Sequence, residues 1–398
     1  MTSATGLDIS ASDLPPDLPT PPRYGSASLP DLLPSVLAGM GVLGENPTLA
    51  LPPASRVVVL LIDGLGAEQL AAAEDAPFLT AHFDAGATLD AGFPATTPVS
   101  LTSLGCGVPP GVHGMTGFFM RRPEDGVVLN LLRLPKDVVP NELQPRATAF
   151  ERAVADGVSV ARVGPRSFDG DGLTEYGLRG GAYRGADSVG ERVAAVERAV
   201  RAGDRSLVYA YYGDLDATGH RSGCESSAWQ RELTHVDSVA EQIAGTLPAG
   251  SLLVVTADHG MLDVAADARW DLATSPELDE GVEVLAGDPR AVHVHARPGA
   301  AADVLAAWTE VLGPNAWVVT REVAIDQGWF GPTFASQFRG RVGDVVAAMR
   351  TKVAVVDSRR LPPTILSLIG LHGSLTSAEQ RVPLIVIRTP TDGNGDGG

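Results

Sequence analysis

The stretch Arg56-Val-Val-Val-Leu-Leu-Ile-Asp63-Gly64-Leu-Gly66 restricts the possible folds more than any other part of the chain. Six apolar residues, mostly β-branched, run without a break into an acid and two glycines. A strand with one wet face alternates in polarity, whereas an unbroken run marks a strand covered on both faces, the usual centre of a parallel sheet. Asp63 then stands at the strand's carboxyl end, where open α/β sheets hold their ligands. Gly64 and Gly66 let the backbone turn sharply there. A carboxylate in that place needs a partner.

The pattern recurs along the chain. A second apolar strand, 206–212, ends in Gly213-Asp214-Leu-Asp216-Ala-Thr-Gly219-His220, and a third, 251–257, runs into Asp258-His259-Gly260. Helical segments are expected at 29–43, 67–73, 147–156, 188–202, 226–245 and 300–312, with further strands at 158–163, 291–296 and 383–388 and a loop at 170–185. Between the first two strands lies Phe93-Pro94-Ala-Thr96-Thr97-Pro98-Val-Ser100. Its proline and hydroxyl residues fit a turn that opens a helix, with Thr97 near the N-cap and Pro98 at the first helical position. Such an end offers N–H groups and a positive dipole to an anion.

Carboxylate and imidazole are the ligand types of zinc and neighbouring divalent metals. In Asp216-x-x-x-His220 the four-residue spacing brings both side chains to one side of a turn or helix. Asp258 and His259 can converge only where the strand becomes irregular, because adjacent strand residues point oppositely. Each pair alone is weak evidence; three strand ends of this kind beside a threonine-rich helix start point to a metal centre.

Ile62-Asp63-Gly64, the Pro94-x-Thr-Thr97 turn, Asp216-x-x-Gly219-His220, Thr256-Ala-Asp258-His259-Gly260-Met261 and Leu371-His372-Gly373 occur in the order of the alkaline phosphatase superfamily. They most resemble its nucleotide pyrophosphatase/phosphodiesterase (type I phosphodiesterase) branch. The resemblance implies an alkaline-phosphatase-like α/β fold, a doubly wound, mostly parallel sheet between helices with inserted lobes. It implies two divalent metal ions, zinc being the expected one, and a threonine nucleophile. Carried over by motif, Asp63, Thr97, Asp258 and His259 would hold one metal, and Asp216, His220 and His372 the other. Two cations about 4 Å apart can clamp both ends of an in-line phosphoryl displacement. The branch usually has asparagine three residues after the nucleophile; here Ser100 stands in that place and would donate one hydrogen bond to a phosphoryl oxygen. Thr97 is preferred to Thr96 by its spacing to Thr102, Ser103 and Gly107.

The implied domain layout is a flexible proline-rich arm over 1–28, one α/β domain over 29–390 with insertions at about 118–185 and 262–357, and a flexible tail over 391–398. A net charge of −18 argues against nucleic acid or an anionic membrane as a bulk partner. Two cysteines make neither a disulfide framework nor a zinc ribbon, and no apolar run is long enough to span a bilayer. A cytoplasmic protein is therefore expected, and the resemblance implies an enzyme acting on a small phosphodiester or nucleotide-like molecule. Oligomeric state is open. Other histidines are read as structural or exposed: His82 and His235 on helix surfaces, His113 in a loop, and His293 and His295 as a packed or exposed pair sharing a strand face, a third metal site being the alternative. Asp214 is read as a solvated or supporting acid. Arg162, Arg166 and Arg184 are left unassigned. Phe118, Phe119, Tyr183, Trp270, Trp329 and Phe330 are candidates to stack on a base, against the plainer role of filling their own lobe.

Within the same chemistry, a phosphomonoesterase, a phosphonate hydrolase or a phosphomutase is the alternative. A sulfatase is disfavoured, because no Cys/Ser-x-Pro-x-Arg motif occurs. A dinucleotide-binding oxidoreductase fails on Gln69, which replaces the third glycine of the phosphate-binding turn, and on Asp63, which would repel pyrophosphate. A metal-stabilised binding protein without catalysis is the remaining class, opposed by the intact Thr97.

Overall fold

A computed structural model describes residues 17–391. The six apolar residues after Arg56 do form the central strand, Arg56–Ile62, and none from Val57 to Ile62 exceeds 2% exposure. Its neighbours are Ser206–Tyr212 on one side and Leu252–Thr256 on the other, both parallel to it. The sheet continues through Ser159–Gly164 and Ala182–Gly185 at one edge and closes with the antiparallel strand Ile385–Arg388 at the other. Helices cover both faces, which explains why the central strands carry no polar alternation. Trimming Leu60 or Leu61 to alanine in this core would cost about 2–5 kcal/mol.

Register is what matters for function. Ile62 lies opposite Tyr212, and Leu61 opposite Thr256, so the three acid-bearing strand ends finish level with one another. Asp63, the turn at Gly213 and the segment Ala257-Asp258-His259 therefore meet along one edge of the sheet.

A second, antiparallel six-stranded sheet forms the lobe, in the order Ala316–Thr320, Val345–Met349, Ala291–Ala296, Val282–Asp288, Phe119–Arg121, Val128–Asn130. This corrects the expected insertion at 118–185. Its first strands join the lobe, but Ser159–Gly164 and Ala182–Gly185 belong to the main sheet. The expected loop at 170–185 holds a short helix, Gly172–Gly177, and that edge strand. Exposed side chains alternate along Ala182–Gly185, too short a run for periodicity to expose it.

The proline-rich arm also differs from expectation where it is described. Residues 17–28 pack on the body: Arg23 holds Asp90 through Nε at 3.0 Å and Nη2 at 2.8 Å. The Tyr24 hydroxyl donates to the Trp329 carbonyl at 2.9 Å and accepts the Phe93 N–H at 3.0 Å. Prolines exclude helix there but allow an extended chain to dock. Residues 1–16 and 392–398 lie outside the described residues. Among the described residues no helix is long and apolar enough to cross a membrane.

Candidate active site

Asp63 follows the central strand directly and is 2% exposed. Gly64 adopts φ +76°, and a Cβ there would come within 3.0 Å of the Asp216 Cβ, so glycine both makes the turn and admits the neighbouring helix. That helix, Asp214–Ser222, carries Asp216 and His220 one turn apart, with Asp216 Oδ1 3.4 Å from His220 Nε2. Past the third strand the backbone is irregular, and Asp258 Oδ2 and Asp63 Oδ1 each lie 3.4 Å from His259 Nε2. His372 follows a two-residue strand, Gly370–Leu371, paired with Leu262–Asp263. Its ring stacks on His259 with centroids 3.6 Å apart.

The loop carrying His372 is anchored by a buried ion pair. Arg290 on the lobe grips Glu379 through Nε at 2.8 Å and Nη2 at 2.7 Å, both side chains being fully buried. Glu379 also accepts the Ser374 N–H at 2.9 Å, two residues past His372. Glu379→Ala would strand the Arg290 charge in the interior. The expected loss is about 3–5 kcal/mol of unfolding free energy, read by denaturant titration.

All three imidazoles are held the same way. His220 Nδ1 donates to the Gly370 carbonyl at 2.7 Å, His259 Nδ1 to the Gly260 carbonyl at 3.0 Å, and His372 Nδ1 to the Ala95 carbonyl at 2.8 Å. Each neutral ring therefore presents an Nε2 lone pair, which is how metal-ligating histidines are oriented. On the acid side, Asp63 Oδ1, Asp216 Oδ1 and Asp258 Oδ2 are buried without a hydrogen-bond donor. Burial raises all three carboxyl pKa values, and Asp258 and Asp216 push Asp63 further, well above the ordinary carboxylate range. Burial likewise lowers His259, and lowers His372 strongly, with His259 and His220 adding to it. Orphaned carboxylate oxygens facing imidazole Nε2 lone pairs form a donor set that fits divalent cations. Two such groups stand out, Asp216–His220–His372 and Asp63–Asp216–His259, with Asp216 common to both. Asp258 adjoins the second group through both His259 and Asp63.

Thr97 opens the helix Thr97–Cys106. Its hydroxyl donates to His259 Nε2 at 3.2 Å, which places the oxygen at the edge of the cluster. Thr96, not Thr97, is the N-cap, and Pro98 is the second helical residue, a shift of one from the expected start. Thr96 and Ser100 are fully buried, and neither hydroxyl has a partner. A cavity of about 640 Å³ opens beside the cluster, lined by Asp63, Thr97 and Asp216 at one end.

Sequence reasoning missed the tyrosines of the strand Ser206–Tyr212. Tyr211 donates to Asp63 Oδ2 at 2.5 Å and so fixes that carboxylate. Tyr209 and Tyr211 are two residues apart, hence on one face, and that alternation inside an apolar strand was the available signal. Asp214 is a surface residue near Arg192, at 3.8 Å. His293 and His295 are both buried in the lobe, where His293 meets Phe330 edge-on. His113 is buried; its Nδ1 accepts the Met115 N–H at 3.1 Å, and its Nε2 donates to the Ser103 hydroxyl oxygen at 2.9 Å. Trp329 and Phe330 pack in the lobe core around Phe93, and of the six aromatic candidates Tyr183 lines the cavity.

Comparison with known proteins agrees with this geometry. Over 119 residues the chain is 36% identical to a phosphopentomutase of Anaeromyxobacter sp. (strain K), covering 29% of this chain and 28% of that enzyme. It is 32% identical over 120 residues to a 2,3-bisphosphoglycerate-independent phosphoglycerate mutase of Syntrophotalea carbinolica, covering 30% and 23%. The matched stretch thus spans less than a third of these curated relatives. Murine ectonucleotide pyrophosphatase / phosphodiesterase 5 superimposes with a TM-score of 0.67 at 18% identity, over 84% of this chain and 88% of that one. Phosphonoacetate hydrolase from Sinorhizobium meliloti 1021, solved with phosphonoformate, gives 0.63 at 18% identity over 87% and 93%. These two likenesses show that the chain shares its fold with both proteins. The sequence profile of the type I phosphodiesterase / nucleotide pyrophosphatase family matches residues 57–375, from the central strand to just past His372, and the chain belongs to that family of hydrolases.

Proposed function

We propose that the protein hydrolyses phosphodiester or pyrophosphate bonds of small, nucleotide-like molecules, with Thr97 as nucleophile. The observation that carries this reading is the convergence of three orphaned carboxylate oxygens and three imidazole Nε2 atoms beside the Thr97 hydroxyl, at one end of a large cavity. In this reading Asp63, Thr97, Asp258 and His259 hold one divalent ion and Asp216, His220 and His372 the other, zinc suiting this mixture of nitrogen and oxygen donors. Bound there, the ions supply positive charge that lowers the pKa of the threonine hydroxyl and stabilises the departing oxygen.

The chain's own residues then have separate tasks. Thr97 Oγ1 gives up its proton to solvent and attacks phosphorus in line; the bond to the leaving oxygen breaks, that oxygen takes up a proton and departs as the alcohol, and the retained phosphoryl ester is left on Thr97. Water attacks from the vacated side, restoring the hydroxyl and releasing the monoester. Tyr211 keeps Asp63 oriented by its hydrogen bond. Ser100, one turn along the helix, is assigned the donor to a phosphoryl oxygen; its hydroxyl is buried and has no other partner.

A phosphodiester has a second ester arm and a monoester does not. The cavity of about 640 Å³ is in the range that holds a drug-sized ligand, and it adjoins Thr97. An inactive variant of the murine structural neighbour was solved in complex with AMP, a compatible product of such a cleavage. Aryl phosphodiesters should therefore exceed the matching monoester in kcat/KM by roughly tenfold or more, the worth of burying one added arm. Side-by-side rates, repeated after chelation and zinc return, check this. A monoester well ahead of every diester would overturn it in favour of a phosphomonoesterase. The local likeness to phosphopentomutases makes internal phosphoryl transfer the second reading, which would yield an isomer and no net hydrolysis.

A further inference from the structure

Away from the carboxylates, the cavity ends on a cation that the fold does not use. Arg162 sits mid-strand in Ser159–Gly164 and is 7% exposed, yet its Nε has no acceptor. Among the described residues its hydrogen bonding amounts to one long contact, Nη1 to the Thr174 carbonyl at 3.5 Å. Its other neighbour is the face of Tyr183, with the guanidinium 5.6 Å from the ring centroid. Beside it, Tyr209 is 3% exposed with a hydroxyl that has no partner. Both line the cavity.

Strand register explains the grouping. Arg162 is the direct partner of Tyr183 on one neighbouring strand and of Tyr209 on the other, so the three stand in a row on one face of the sheet. Tyr211, two residues beyond Tyr209, carries the same face to Asp63. The row therefore runs from the reacting end of the cavity to its far end. Asp171 also lines the cavity, but its Oδ1 is taken by the Gly172 N–H. Among the described residues no carboxylate forms an ion pair with Arg162, Glu175 and Asp169 acting on it only from farther off; a buried guanidinium left so is costly, and guanidinium is the side chain best shaped to bind an oxyanion through paired N–H groups. A tyrosine hydroxyl next to it adds a donor.

We infer that Arg162 and Tyr209 form a second anion subsite, which selects phosphodiester or pyrophosphate substrates carrying a carboxylate or a further phosphate at the end remote from the scissile phosphorus. This rests on the hydrolase reading above and adds the substrate class to it. The cavity's apolar lining, including Leu101, Leu173 and Phe168, fits an uncharged spacer joining two anionic groups.

The test compares three diesters with the same 4-nitrophenyl leaving group on the metal-loaded enzyme. The second arm is phenyl, 4-carboxyphenyl or 4-phosphonophenyl. Wild type should prefer an anionic arm over phenyl by roughly tenfold or more in kcat/KM, chiefly through KM, the scale of a charge-assisted hydrogen bond. Whichever anionic arm has the larger ratio identifies the group recognised. Arg162→Met should bring that ratio close to one, Arg162→Lys should keep part of it, and Tyr209→Phe should lower it a few-fold. A residue that merely packs on Tyr183 would slow all three diesters alike and leave the ratio unmoved. A wild-type ratio at or below one overturns the inference, as does an unchanged ratio in Arg162→Met. If Arg162→Met does not fold, the wild-type ratio together with Arg162→Lys and Tyr209→Phe decides the question. Calorimetric titration of 4-carboxyphenyl phenyl phosphate against diphenyl phosphate into the Thr97→Ala variant reports the same preference without turnover. Failure of hydrolysis with preserved anion selectivity would thus refute the hydrolase reading alone.

Discussion

Thr97→Ala should lose roughly 10³-fold to 10⁶-fold in kcat on any diester the wild type hydrolyses, the range seen when a covalent nucleophile is removed. The fold and the donor set around Asp216 should survive, because Thr97 opens its helix without capping it and donates one hydrogen bond, to His259. Thr97→Ser keeps the attacking oxygen and loses a methyl group, so it should retain measurable turnover. Thr96→Ala should be the mildest of the three. Thr96 is buried, its hydroxyl caps nothing, and the cavity is lined by Thr97. Steady-state rates on the three variants, with circular dichroism as the fold check, separate these outcomes. A dead Thr96→Ala beside an active Thr97→Ala would move the nucleophile by one residue.

Removal of divalent metal has the second largest expected effect. Chelation should abolish activity, zinc should restore it, and elemental analysis of active protein should give two ions per chain. Stability should follow. The metal-free site crowds Asp63, Asp216 and Asp258 together in the interior, and burial already drives their carboxyl pKa values upward. An ion at about 100 times its Kd stabilises the folded state by about 2.7 kcal/mol per site. With roughly 2 °C of Tm per kcal/mol for a large domain, two sites amount to about 10 °C. His372→Ala should lose metal from the site shared with Asp216 and His220 and keep the other filled. Two full sites in that variant would remove His372 from the ligand set. Full activity in chelator, with no stoichiometric metal, would refute the two-metal account.

How far the sequence carried these conclusions differs from region to region. The strand 56–62 was legible because burial on both faces leaves an uninterrupted apolar run, and the strand 206–212 for the same reason. Asp63, Asp216, His220, Asp258 and His259 were legible because each follows such a strand within a few residues, so the sheet itself gathers them. His372 lay farther from any long element. Its place depends on a two-residue strand and on the Arg290–Glu379 pair, which joins residues 89 positions apart and leaves no local pattern. The lobe boundary failed for a related reason. Phe119–Arg121 and Ser159–Gly164 enter different sheets, and sheet membership depends on long-range pairing that periodicity does not encode. Sequence named Arg162 beside Arg166 and Arg184 as able to reach a phosphate but could not choose among so many arginines. Only register with Tyr183 and Tyr209, and the lack of an acid beside it, distinguish it.

The central claim is that phosphorus passes through Thr97, and the stereochemical course of the reaction tests it most directly. A diester made chiral at phosphorus by sulfur and oxygen labelling would be hydrolysed by the metal-loaded enzyme and the configuration of the product determined. Each in-line displacement inverts phosphorus. Attack by Thr97 followed by attack of water comprises two inversions, so the account predicts net retention. Net inversion would mean a single displacement by water and would contradict it.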